Sequence, residues 1–373
     1  DPKALAPPWG AGAQRLGGRM SAVLPSPVAA PAAPKPMSPN QRAWARFKRN
    51  RVGTWSLWAF IVVLVLATFA EVFSNDRPLV ARYDGQTYFP LLKNPPETTF
   101  GGDFETPTDW SDPLIAGQFA KPGHWAVFTL NRYGPRTSNP FEAVASPAPP
   151  SALHWLGTDS LGQDMVARLL YGFRVSIWFA IALTFVGTIV GVLMGALMGY
   201  FGGRIDLTLQ RLLEIWGAIP ELYVLIIFAS IFQPSLLLLL ALLSLWSWLG
   251  LSDYVRAEFF RNRSLEYVKA ARALGLSNFQ IIRRHVLPNS MTPVITFLPF
   301  RMSAAILSLT ALDFLGLGVP ASVPSLGELL QQGKNNLDAW WIIIPTFLLL
   351  TLTTTLLTFI GDALRDAFDT RKS

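Results

Sequence analysis

The chain has no cysteine. It therefore forms no disulfide and offers no thiolate as a metal ligand or nucleophile. Histidine is nearly as scarce, and His124, His154 and His285 are too scattered to make a ligand cluster. Charge is thin as well, at 15% of residues, where a soluble globular domain carries about a quarter. No G-x-x-x-x-G-K-[ST] segment occurs, so nothing here cradles the phosphates of ATP. No nucleophile–base pair and no metal constellation can be assembled from the rest. No catalytic residue, metal ligand or directly bound cofactor is assigned. No aromatics alternate with the basic residues, which argues against nucleic acid as a partner.

What is abundant is apolar surface. Hydrophobic residues make up 51% of the chain, and several stretches of 18 or more residues are nearly free of charge, long enough to cross a bilayer as helices. The reading is an all-α membrane protein in contact with lipid. The net charge of +7 then speaks to topology, because basic residues gather beside the spans.

Residues 1–36, rich in Ala, Pro and Gly without a hydrophobic run, read as a disordered extension, and Met37 offers a natural start. Residues 37–73 comprise a basic segment (Arg42, Arg46, Lys48, Arg49, Arg51) and an uncleaved first span at 54–73, which holds the N-terminus in the cytoplasm. Residues 74–171 form a small, irregular extracytoplasmic domain with a strand at 125–130, in which Trp110 and Trp125 serve as core. A second span at 173–201 carries Gly187, Gly191, Gly195 and Gly199, one every four residues. A helix lines these up for close approach of another helix. A short loop with Arg204 and Arg211 leads to a third span at 212–232, containing Pro220, and a fourth at 236–251. The fifth, at 291–315, carries Pro293, Pro299 and Arg301; the sixth, at 340–360, precedes a cytoplasmic tail at 363–373. Six spans with both ends inside satisfy the charge of every short loop, and residues 172–362 are the core of the protein.

Between the fourth and fifth spans, 252–289 is a polar interruption with seven basic and three acidic residues. Tyr267, Ala270, Ala271 and Leu274 fall at i, i+3, i+4, i+7, which predicts one apolar face of a short helix, with Lys269 and Arg272 on the other. Gly275 can take the left-handed backbone that ends it. Ser277 with Gln280 has the form of a capping box for a second helix, which Pro288 is expected to close. Such a helix-turn-helix fits a socket for a soluble partner; by pattern it fits an ordinary basic cytoplasmic loop equally well.

A membrane protein with no energy source of its own is a channel, an ion-coupled carrier or a subunit driven by another protein. Carriers keep carboxylates within their spans, and here only Glu214, Glu221 and Asp313 lie near span ends. A stand-alone ion-coupled carrier for peptides or other small solutes is the alternative reading. A non-transporting scaffold finds no support.

The loop resembles the "EAA" loop of permease subunits of binding-protein-dependent ABC importers: Glu266, Lys269, Ala270, Ala271, Gly275, Ile282, Leu287 and Pro288 carry the likeness. Within that family, Trp155-Leu-Gly-Thr-Asp-Ser-Leu-Gly-Gln-Asp-Met-Val-Ala-Arg-Leu-Leu-Tyr-Gly172, Asp313-Phe-Leu-Gly-Leu-Gly318 and Ser325-Leu-Gly-Glu-Leu329 are similar to the dipeptide and oligopeptide branch. Residues 40–47 and 83–94 are most similar to its Yej-type permeases. The resemblance implies the six-helix type I permease fold in a bacterial inner membrane and a second, non-identical permease subunit. It also implies ABC ATPase subunits that bind ATP and Mg, and a periplasmic peptide-binding protein. The implied cargo is peptides, among them peptide-nucleotide antibiotics of the microcin C kind. The loop would be the coupling helix seated in a groove of the ATPase. Two positions depart from the family pattern: Lys269 stands where a Glu precedes the Ala pair, and Gln163 where Arg is common.

Single residues add expectations. Arg301 lies about ten residues into the fifth span, where a charge costs at least a few kcal/mol. It is expected to line the peptide pathway or to meet a carboxylate, with Asp313 as a second pathway residue; a later start to the span would instead make Arg301 an interfacial anchor. Asp159 and Asp164 are expected to cap a helix.

Overall fold

The computed structural model describes residues 39–138, 145–320 and 322–369. The expected extension at 1–36 lies outside them. Among the described residues, five helices are long and apolar enough to cross a membrane, and one bent helix pair makes a sixth.

Helix α1 (Pro39–Arg49) presses Phe47 onto Ala363 and Ala367 and ends at Asn50, whose side chain caps α2 (Arg51–Thr68) through the Gly53 amide at 3.0 Å. The first span thus starts earlier than expected and breaks at Phe69 before the short α3 (Ala70–Phe73). The insertion that follows is more regular than its composition suggested. Strands β1 (Val80–Tyr83) and β2 (Gln86–Tyr88) form a hairpin about Asp84 and Gly85, both with positive φ, the two-residue turn that matches strand twist. Helix α4 (Pro113–Phe119) and strand β3 (Trp125–Val127) complete it, with strand order β2-β1-β3. Phe100, Trp110, Ile115 and Ala81 are its core. The strand expected at 125–130 stops at Val127, and Trp125 is exposed because its ring leaves the face that Ala126 turns inward.

The centre of the bundle is α5 (Met165–Phe201), 37 residues long, whose N-cap Asp164 accepts from the Ala167 amide at 2.9 Å. Gly202, at positive φ, turns the chain directly into α6 (Gly203–Gly217), so Arg204 and Arg211 sit on a helix, not in a loop. Pro220 has no N–H and disfavours helix at the residue before it. The expected third span is accordingly two helices, α6 and α7 (Glu221–Ile231), bent by 61°. The fourth is interrupted too: α8 (Leu236–Ser244) and α9 (Leu249–Asn262) are joined by a turn at 245–248.

After α10 (Glu266–Ala273) and α11 (Asn278–Ile281), a π turn at Ile282–Val286 runs into α12 (Leu287–Phe314). Pro288 therefore does not close the helix. The Leu287 amide donates to Ile282 O, five residues back, and this widened turn takes in the proline ring that an ordinary turn would exclude. Amphipathic α13 (Leu326–Asn335) and α14 (Trp340–Phe368) complete the chain, and α14 occupies the start of what was expected as a tail.

The four aligned glycines of α5 all face the turn and helix that follow α8, except that Gly187 also meets Arg301. A Cβ on Gly195 would lie 2.5 Å from Ser252 O, and one on Gly199 would lie 2.5 Å from Arg256 O. On Gly191 it would reach Trp248 O at 3.0 Å, and on Gly187 it would collide with the Ser247 hydroxyl. Backbone-to-backbone approach fixes α5 against α9 and so positions both regions below.

Candidate functional site

The first region is the basic loop. Val268 and Ala271 on α10 are buried with Phe259, Ile281, Val286, Ala196 and Tyr200, so the helix rests on the ends of α5, α9 and α12. This corrects the face expected from spacing: Tyr267, Ala270 and Leu274 are exposed, and only Ala271 of that set is buried. The helix is too short to bury the whole stripe, and the flanking Val268 turns inward instead. Gly275 at φ +79° ends α10 in a Schellman arrangement, its amide donating to Arg272 O at 3.0 Å and the Leu276 amide to Ala271 O at 3.3 Å. The Ser277–Gln280 capping box is complete, with bonds of 3.0 and 3.3 Å. Asn262 Nδ2 donates to Ser290 Oγ at 2.8 Å, tying the loop's entry to its exit.

With its inner face so fixed, the loop presents Leu274, 80% exposed, Phe279, 69% exposed, and Tyr267 to its surroundings. Exposed apolar side chains on a rigid, basic platform suit a protein partner. Lys269 and Glu266, both exposed, pair with each other at 2.8 Å; Ile282 and Leu287 are half-buried, and Pro288 is exposed. Lys269 and Arg272 also line a polar notch with Arg263, Tyr200 and Asn278.

The second region lies within the bundle. Arg301 Nη2 donates to Ser247 O at 2.9 Å, a carbonyl freed by the break between α8 and α9. The guanidinium lines a cavity of about 180 Å³ together with Thr184, Glu221, Trp246, Ser247 and Ser308. Asp313 does not reach it. Its carboxylate accepts from the Val319 amide at 2.8 Å and from the Ser325 hydroxyl, and Ser325 in turn caps α13. Its role is to close the 315–325 loop.

A third cluster sits at the insertion end. Arg168, fully buried, lies 2.6 Å from Glu328 and 3.4 Å from Asp159. Asp164 accepts from Asn131 Nδ2 at 2.7 Å and meets His154 Nδ1 at 2.9 Å. Both aspartates thus act structurally, joining the insertion to α5 and α13.

The inner membrane ABC transporter permease protein YejE of Escherichia coli (strain K12) is 48% identical to this chain over 334 residues, which cover 90% of the chain and 98% of the relative. The chain belongs to the ABC transporter permease family. Residues 191–373 of the permease match the binding-protein-dependent transport system inner membrane component, and residues 38–96 match the N-terminal TM domain of oligopeptide transport permease C. The peptidoglycan transport system permease protein YejE of Agrobacterium fabrum is 42% identical over 89% of this chain and 93% of its own length. The oligopeptide transport system permease protein OppC of Escherichia coli (strain K12) is 37% identical over 58% and 72%. The permease is thus a multi-pass inner-membrane protein of the type I permease fold, from a family that works with ATPase subunits and a binding protein.

Sequence reading missed Arg168 and Glu328 in this permease, although both lie within motifs that marked the peptide branch. A charged residue inside the apolar run that opens α5 was the available signal. Thr184 and Trp246 gave none, because nothing local separates them from ordinary span residues.

Proposed function

We propose that the permease forms one half of a heterodimeric pathway that imports peptides into the cytoplasm. Its N- and C-termini and its 252–289 loop would lie inside, and the energy would come from ATP and Mg bound on partner ATPase subunits. The observation that carries this reading is the loop itself. Its inner face is locked onto α5, α9 and α12, while Leu274, Phe279 and Tyr267 stand outward with no covering element among the described residues. The peptide cargo rests on the names of the relatives, two of which specify oligopeptide or peptidoglycan transport; peptide-nucleotide conjugates fall within the same class. Closure of the ATPase subunits would push on α10, and the covalent run from α11 into α12 would carry that displacement into the bundle. The pathway between two permease halves would then open toward a loaded binding protein, and hydrolysis would reset it.

The test is purification from the inner membrane followed by reconstitution in liposomes. Co-elution with a different permease and an ATPase, and peptide uptake that requires ATP, is the expected result. Uptake by this chain alone, driven by an ion gradient, would overturn the proposal in favour of a carrier.

A further inference from the structure

Two helix interruptions converge on one cavity. Glu221, first residue of α7 after the Pro220 break, and Trp246 with Ser247, in the turn between α8 and α9, all line the space beside Arg301. Broken helices at membrane depth are tolerated where they border a cavity, and such places are where transporters hold polar cargo. The cavity's donors are also unusual. Arg301 Nη1, Trp246 Nε1 and Thr184 Oγ1 are buried and have no hydrogen-bond partner among the described residues. A guanidinium bonded through Nη2 alone, with its other amino group buried and unpaired beside the cavity, is half of the fork that binds carboxylate bidentately. Gly187 keeps that fork in place, since a Cβ there would fall 2.5 Å from Arg301 Nη2. Glu221 makes no ion pair with Arg301, and no other carboxylate among the described residues neutralises that cation.

We infer that Arg301, Trp246 and Thr184 form a carboxylate-binding subsite that takes the terminal carboxylate of the transported peptide. The inference rests on the peptide reading above and adds a residue-level specificity to it. The volume, about 180 Å³, suits one terminal residue or a few waters, not a whole peptide. A fixed carboxylate from a partner subunit would satisfy Arg301 as well. It would leave unexplained why two helices are broken here and why a hydroxyl and an indole N–H beside the cavity also lack partners among the described residues.

The experiment uses the whole importer, reconstituted with its co-purifying subunits and binding protein. Uptake of a tripeptide with a free C-terminus is compared with uptake of its C-terminal amide. The wild type is expected to favour the free acid at least tenfold. Arg301→Gln is expected to lower free-acid uptake by tenfold or more and bring the ratio near one, with Arg301→Lys intermediate. Equal loss for both peptides, as a structural or inter-subunit pair would give, overturns the inference, as does an unchanged ratio. Should Arg301→Gln fail to assemble, Trp246→Phe and Thr184→Val each remove one donor without changing charge. Each should raise KM for the acid at least threefold and leave the amide unchanged; no selective effect in either overturns the subsite. A wild-type importer that moves neither peptide refutes the peptide reading, whereas one that moves both equally refutes only this subsite.

Discussion

Arg168 on α5 and Glu328 on α13 lie 2.6 Å apart, and Arg168 has no exposure to solvent. With Asp159 as a third member, the cluster links the insertion, the central helix and the outer amphipathic helix. Removing one member of a buried ion cluster strands the others, at a cost of about 3–5 kcal/mol. Arg168→Met should therefore lower the thermal midpoint of the detergent-solubilised protein sharply. The triple change Arg168→Met, Asp159→Asn, Glu328→Gln should recover most of the loss, and a triple variant no better than the single one would contradict the role assigned to the cluster.

The glycine contact between α5 and α9 gives a contrast within one molecule. A methyl at Gly199 meets the Arg256 carbonyl and the Phe259 Cβ at 2.5 Å, while one at Gly250 meets nothing within 4 Å. Gly199→Ala should destabilise by about 1–3 kcal/mol, the usual range for overpacking. Gly250→Ala, inside helix α9, should be neutral or stabilising by up to about 1 kcal/mol. Thermal unfolding of the two variants side by side decides it.

The exposed and buried faces of the 252–289 loop should separate coupling from folding. Leu274→Asp combined with Phe279→Asp changes only exposed positions, so stability should stay within about 0.5 kcal/mol of the parent. ATPase stimulation by peptide-loaded binding protein should be lost. Val268→Asp buries a charge instead and should prevent accumulation of folded protein altogether.

Lys269 pairs with Glu266 on its own helix at 2.8 Å, both being exposed. Such a pair contributes less than about 1 kcal/mol and is easily exchanged. The matching ATPase surface is accordingly expected to offer an acid. Lys269→Glu should weaken assembly, and the reciprocal change of that acid to Lys should restore it; transport that stays unrescued by the swap counts against the contact.

Much of the fold is local enough to read from the chain. The apolar spans, the glycine register of α5, the αL position of Gly275 and the capping box at Ser277 each depend on residues within a turn or two. The Asp84–Gly85 hairpin carries an equally local turn signal that the reading of the insertion as irregular passed over. What escaped depends on distant partners or on competition. Arg168 finds its carboxylate 160 positions away. Asp313 is taken by Ser325 and the Val319 amide, so a residue that looked available for cargo is a loop clasp. The apolar stripe on α10 had two possible inner faces, and packing against Phe259 and Tyr200 selected the one through Val268. Pro220 and Pro288 have the same backbone chemistry yet opposite outcomes. A bend of 61° forms at the first, and at the second the π turn lets the helix continue.

That continuity has a mechanical consequence. From Asn278 to Phe314 the chain is one rod of 37 residues, about 55 Å long at the helical rise. A rocking of about 5° about its loop end sweeps the far tip through roughly 5 Å, and Arg301, some way along the shaft, through roughly 3 Å. Displacements of that size are enough to make or break a hydrogen bond to the guanidinium. The π turn thereby acts as a splice that keeps the helix continuous, and under the proposed coupling a small push at the loop would become grip or release at Arg301.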